Sequence, residues 1–230
     1  MIALKLQLYQ NMVNYRKENS FGYIQSYPLP TPSMVRGMAH SLLGLKEYKP
    51  LRISIQGSFD SVCVNIQRII KIDRYREENP YRVKVGIRKV TALNGVMFVD
   101  CLVNCKLLLH IAFDDEELTK KLYEKVLSNT VILGRNEDIA RVDFNKTKIV
   151  QITQDEEVEL KYPIYLDTKI TKENQLVGTH YKLPFYYENV SGFDDLRIFK
   201  FVDCVYVSKG KIDNLYVDED NDAVCFLGIS

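Results

Sequence analysis

Arg36 and His40 stand four residues apart, one helical turn, with Gly37, Ser41 and Gly44 completing the same side. A guanidinium and an imidazole among residues this small form a face of low relief, which lets a phosphate backbone approach closely. A second group of cations lies in RIIKIDRYREENPYRVKVGIRK, Arg68 to Lys89, with eight basic residues against three acidic ones. Arg74, Arg76, Arg82, Lys84, Arg88 and Lys89 stand there beside Tyr75 and Tyr81, and Tyr27 precedes the helix. Cations bind phosphates while tyrosine rings stack on unpaired bases, the combination that holds single-stranded RNA. A charged hairpin also protects an exposed strand edge from pairing with other chains, and composition does not separate the two readings. The third group is LGRNED, Leu133 to Asp138. Its Gly134–Arg135 pair offers a backbone N–H and a forked donor to a phosphate or a carboxylate, and equally suits an ordinary loop.

Metal-free RNA cleavage needs a base for the 2′-hydroxyl and a donor for the leaving oxygen, roles His40 could share with a Lys or Tyr. A single histidine on a helix face more commonly serves as a contact, and His110 lies in an apolar strand. Five cysteines (Cys63, Cys101, Cys105, Cys204, Cys225) are odd in number and never spaced as C-x-x-C, against both a disulfide framework and a zinc site. Neither G-x-x-x-x-G-K-[ST] nor G-x-G-x-x-G occurs. The residues therefore predict no catalytic group, no metal and no cofactor.

These groups need a framework. With 230 residues, 46% of them apolar and 27% charged, the chain can bury one good core with a small appended domain. Its apolar runs fall far short of the ~20 residues that span a bilayer, and the first segment alternates without the charged start of a signal peptide. A cytoplasmic protein with no membrane partner is predicted. The net charge of +1 hides an asymmetry, since residues 1–100 hold 15 Lys or Arg against 7 Asp or Glu, and residues 101–230 hold 16 against 23. One basic and one acidic surface are expected, although ordinary solvated charge would give the same count.

Ile2, Leu4, Leu6 and Leu8 alternate with polar neighbours as a first strand. The prolines of SYPLPTP hold Tyr27 to Thr31 extended, after which Thr31 caps a helix with Pro32 at its first position. Leu51, Ile53 and Ile55 predict a strand running to a turn at Gly57 to Ser61, with Val62, Val64 and Ile66 starting the return strand. A basic β-arm pivoting at Asn79-Pro80 follows, then a central strand with a bend from Gly95 to Phe113. Asp114 or Asp115 caps a second helix that stops at Asn129, and Ile139 to Thr153 returns as strand. Beyond Asp155 only short strands are expected, and VDEDND, Val217 to Asp222, reads as a solvated turn. This order predicts an α+β, ferredoxin-like (RRM-like) βαββαβ domain over 1–153 with an inserted β-hairpin arm at about 68–95, and a small β-rich domain over 154–230.

Taken together, SYPLPTPSMVRGMAHSLLG and VILGRNEDIARV resemble the two signature stretches of the CRISPR-associated protein five family, RAMP-superfamily subunits of type I Cascade, in a form closest to type I-B. The resemblance runs from Ile2 to about Val142. It implies a subunit that binds the 5′ handle of the guide RNA (crRNA), caps the filament of Cascade backbone subunits and has the Cascade large subunit as a further partner. By position, Arg36 and Gly37 fall in the first helix, Gly134 and Arg135 in the handle-side loop, and Arg74 to Lys89 in a thumb that folds over the RNA. Members that cleave the guide precursor use a Tyr with a Lys-His pair. This chain has no Lys-His dipeptide, and its end reads only CFLGIS where such proteins often carry a glycine-rich loop. A non-catalytic RNA-binding subunit is expected, with a precursor-processing endoribonuclease using His40 and a protein-interaction module as alternatives.

Overall fold

Alternating strands and two capped helices make the framework of a computed structural model that describes residues 1–20, 22–74, 77–78, 82–190 and 193–228. β1 (Ile2–Val13) sends Leu4, Leu6 and Leu8 into the main apolar cluster and sets Lys5, Gln7 and Tyr9 on the other face. After β2 (Tyr23–Ile24), α1 (Pro32–Leu43) starts as expected: the Thr31 side chain accepts the Met34 N–H, and Pro32 sits in the first turn. Gly44 closes the helix in the left-handed conformation at φ 66°.

The next segment departs from the sequence pattern. β3 (Leu51–Ser58) and β4 (Ser61–Arg74) run in one direction, β5 (Arg82–Val85) follows, and the return strand is the 26-residue β6 (Arg88–Phe113). Leu51 pairs with Phe113, Ser58 with Lys106, Ser61 with Val103 and Arg74 with Val90, one register without slip. The turn predicted at Gly57 to Ser61 is therefore absent, and Val62, Val64 and Ile66 continue β3 rather than reverse it. Gly57 serves close approach instead, because a Cβ there would collide with the Lys106 carbonyl oxygen and lie 2.9 Å from Leu107 Cδ2. The bend is in β6 at Asn104, φ 53°, whose Nδ2 donates to Asp60 Oδ2 at 2.8 Å. Beyond Leu102 the ribbon leaves the main cluster, and β5 folds back on β6 through Gly86 at φ 59°.

α2 (Glu116–Ser128) is capped by Asp115 and ends at Asn129. β7 (Val131–Ile132), β8 (Ile139–Val142) and β9 (Lys148–Gln151) follow, with β8 and β9 lying antiparallel to β1. β3, β6, β1 and then β8 and β9 thus lie side by side, with α1 and α2 supplying Val35, Met38, Leu122 and Val126 to the apolar cluster on one face.

The rest of the chain comprises β10 (Thr153–Glu159), β11 (Ile164–Asp167), α3 (Thr168–Glu173), β12 (Thr179–Val190), β13 (Phe193–Val207), β14 (Lys211–Val217) and β15 (Ala223–Val224). β10, β14 and β15 form a small sheet of their own, whereas β11 pairs with β3 and carries β13 and β12 into the main sheet. Ile164, Val205 and Leu227 share one apolar cluster with Leu4, Ile53 and Leu109, so sheet and core both cross the boundary expected near residue 153. α3 corrects the expectation of strands alone; its six residues, capped by Asp167, are too few to show a helical period. The fold is mixed α/β and mostly antiparallel, and among the described residues no helix is long and apolar enough to cross a membrane.

Candidate nucleic-acid interface

The ribbon carries the basic residues into solvent. Arg68 is exposed and donates from Nε and Nη2 to Asn94 Oδ1 at 3.3 and 2.9 Å. Lys84, Arg88 and Lys89 are exposed, and Lys84 stands directly opposite Lys89 across the β5–β6 hairpin. Like charges so placed repel, which concentrates positive potential at the ribbon's outer end. Arg74 and Arg82 occupy strand positions opposite Val90 and Thr91. Tyr75, Arg76 and Tyr81 lie outside the described residues, as do the side chains of Arg74 and Arg82.

α1 does not present the face its periodicity predicts. Gly37, Ser41 and Gly44 are exposed, but Arg36 is 5% exposed, because β12 and the loop before β3 close over it. Its Nε, Nη1 and Nη2 donate to the carbonyls of Phe185, Lys49 and Leu51 at 3.3 to 3.4 Å. The guanidinium also lies 4.9 Å from the Phe185 ring centroid and 5.1 Å from that of Tyr48. His40 is half-buried, with Nε2 3.3 Å from the Lys49 carbonyl and its ring stacked near Phe113. Burial lowers its pKa below the ordinary histidine value; the Lys49 carbonyl partly opposes this, and Arg36 adds to the lowering. Tyr27 likewise is not an open stacking platform. It is 6% exposed, its hydroxyl donates to Glu18 at 2.9 Å, and its ring meets Tyr181 edge-on.

The Gly134–Arg135 loop supplies its own anion. Asp138 accepts the Arg135 backbone N–H at 2.8 Å, Nε at 3.0 Å and Nη2 at 2.7 Å, while Glu137 lies 3.3 Å from Nη1. The hydrogen bond to Asp138 raises the Arg135 pKa despite partial burial. Gly134, at φ 115°, leaves room for this, since a Cβ there would lie 2.7 Å from Asp138 Oδ2.

The acidic turn is the largest departure from expectation. Asp218 and Asp222 are 2% and 7% exposed, not solvated, and with Asp220 they surround the Lys5 ammonium at 2.6 to 2.7 Å. His110 Nε2 lies 2.9 Å from Asp218, Lys148 pairs with Asp220 and Lys161 with Asp222. The three carboxylates are close enough together for a metal ion, but Lys5 stands among them as the resident cation. Burial would lower the Lys5 pKa, yet its hydrogen bonds to Asp218, Asp220 and Asp222 hold it above the ordinary lysine value. Burial would raise that of Asp218, but His110 and Lys5 hold it well below the carboxylate range. Lys5 occupies a polar position of the β1 alternation beside Gln7 and Tyr9, so nothing in the sequence marks it as buried.

Sheet and ribbon define a class of mixed α/β proteins in which a long antiparallel ribbon extends a helix-covered sheet and displays cations. The model of the family described as CRISPR-associated protein (Cas_Cas5) matches residues 3–126, more than half of the chain, and the chain belongs to that family. Among solved structures, a chain of a CRISPR RNA-guided surveillance complex is similar at TM-score 0.55 and 12% identity, covering 97% of this chain and 94% of that one. At this identity the likeness is one of fold. A chain from the type III-B Cmr-beta complex bound to cognate target RNA and AMPPnP overlaps more loosely, at TM-score 0.44 and 14% identity over 91% of this chain and 86% of that one. No curated protein matches the sequence.

Proposed function

We propose that the chain is a non-catalytic guide-RNA-binding subunit of a type I-B-like Cascade, a cytoplasmic complex in which it holds the crRNA 5′ handle and caps the backbone-subunit filament beside the large subunit. The observation that carries this reading is the cationic ribbon, with Lys84 facing Lys89 and Arg68 and Arg88 exposed. Such a surface is best relieved by phosphates. Family membership and the fold shared with a surveillance-complex chain support it. We read the antiparallel order β3-β6-β1-β8, with helices on one face, as a ferredoxin-like domain. Val64, Ile66, Ile70, Val96 and Phe98 are exposed on one face of the same ribbon, apolar surface suited to a neighbouring protein subunit. His40, with its pKa lowered and Nε2 turned to a backbone carbonyl, is assigned a structural or contact role.

The test is a titration of the purified chain with mature and precursor guide RNA over a range of salt. Both RNAs should bind and the precursor should stay intact. Replacing Lys84 and Lys89 together by alanine should make the slope of log affinity against log salt shallower by about 1.4, two counterions at ~0.7 each for single strands. An unchanged slope removes the ribbon from the RNA, and precursor cleavage that His40→Ala abolishes replaces this reading with the nuclease one.

A further inference from the structure

The sheet face opposite α1 and α2 is only partly covered. The C-terminal segment lies across its inner rows: the Cys225 N–H donates to Ser54 Oγ at 3.0 Å, Gln56 Nε2 to the Ala223 carbonyl at 2.6 Å, and His110 meets Asp218. Val224 and Phe226 pack there on Ala3, Ala112 and Val150. The next row is left open. Lys106 of β6 pairs with Tyr9 of β1, and Tyr9 pairs with Arg141 of β8, so the three share one face in a line across three strands. The Arg141 guanidinium sits 4.8 Å from the Tyr9 ring centroid, and the Tyr9 hydroxyl donates to Asn104 Oδ1 at 2.7 Å.

This row forms part of a groove of about 640 Å³, whose far wall is the turn between β8 and β9, with Phe144 and Lys146, and Tyr162. The turn is fixed: the Asp143 N–H donates to the Gln7 carbonyl at 3.0 Å, and the Asn145 N–H to Asp143 Oδ1 at 3.2 Å. Asp143, the carboxylate of the lining, is thereby partly engaged inside the turn. Phe144 stands 62% exposed at its tip. Lys106, Arg141 and Lys146 are exposed, and no ion pair among the described residues involves them. Three unpaired cations around an exposed aromatic ring, in a groove of this volume, match the chemistry of a nucleotide: phosphates for the cations and a base for the ring.

We propose that this groove takes an unpaired nucleotide of RNA, with its phosphates on Lys106, Arg141 and Lys146 and its base against Phe144. The site is separate from the ribbon's outer end and rests on the RNA-binding reading above. Arg141, held over Tyr9, is an ordered donor, whereas the two lysines are mobile charges that follow the strand. A protein lacking this groove would still bind RNA through the ribbon but would lose a defined end point for the strand.

The experiment uses the full chain with single-stranded guide RNA carrying 4-thiouridine. Irradiation should cross-link a peptide containing Phe144. Lys106→Ala with Lys146→Ala should make the salt slope shallower by about 1.4, and Phe144→Ala should weaken binding about tenfold, the scale of one base–aromatic stack. Phe144→Tyr should restore the affinity, which separates stacking from a damaged turn. If the wild type binds RNA and these variants match it in affinity and slope, the groove proposal falls and the ribbon reading stands. If the wild type binds no RNA at any salt concentration, both fall.

Discussion

Arg36 and Lys5 are cations that the fold has enclosed, and they differ in what surrounds them. Arg36 has carbonyls and rings but no carboxylate within its hydrogen bonds, so it ties α1 to β12 and to the start of β3. Arg36→Ala should therefore appear as a lowered melting temperature with an unchanged salt slope for RNA. Arg135→Ala, which leaves Asp138 uncompensated, should behave the same way; a shallower slope with an unchanged melt would return either residue to the RNA surface. Lys5 instead neutralises buried carboxylates, and Lys5→Met should cost about 3–5 kcal/mol at neutral pH. The sign with pH follows from the shifts. The depressed Asp218 pKa contributes stability that is present above the unfolded carboxylate value of ~3.9 and is lost as pH falls through the folded one. The raised Lys5 pKa contributes stability that is present below ~10.4 and is lost only as pH rises through its folded value. Urea melts should thus show the gap between wild type and Lys5→Met narrowing below about pH 4, and a gap independent of pH would refute the charge cluster as its source.

At the scale of elements, the sequence makes local signals legible and leaves distant ones hidden. Thr31, Pro32, Asp115 and Asn129 mark helix ends through contacts within a few residues, so their chemistry is visible in the sequence. Gly57 misled because the usual meaning of glycine between alternating runs is a turn, while its reason here, the Lys106 carbonyl, lies on another strand. Arg36 is a case of the same kind: a helical wheel separates two faces but does not say that Phe185 will close over one residue of the polar face. The row of Lys106, Tyr9 and Arg141 was likewise invisible, since only strand register brings the three together. If close approach is the role of Gly57, Gly57→Ala should destabilise by about 1–3 kcal/mol through overpacking, measured by denaturant unfolding. A cost within a few tenths would mean that the strands can part without penalty.

Across the whole molecule, the boundary that the order of elements predicts near residue 153 brings no break in the sheet or the core. The family assignment rests on the N-terminal part, residues 3–126, which holds the first signature stretch but not VILGRNEDIARV at Val131 to Val142, while the C-terminal strands widen the sheet and cover its inner rows. The register from Leu51–Phe113 to Arg74–Val90 also keeps the ribbon in line with the sheet. A turn at Gly57 to Ser61 would have been a hinge there, letting the arm swing while the sheet stayed still. Pairing lapses only at Phe59 and Asp60, where the Asp60 N–H still donates to the Val103 carbonyl at 2.9 Å, and β6 runs on unbroken from the ribbon to Lys106 at the centre of the sheet. A load on the arm would therefore reach the open sheet face along one strand, β6.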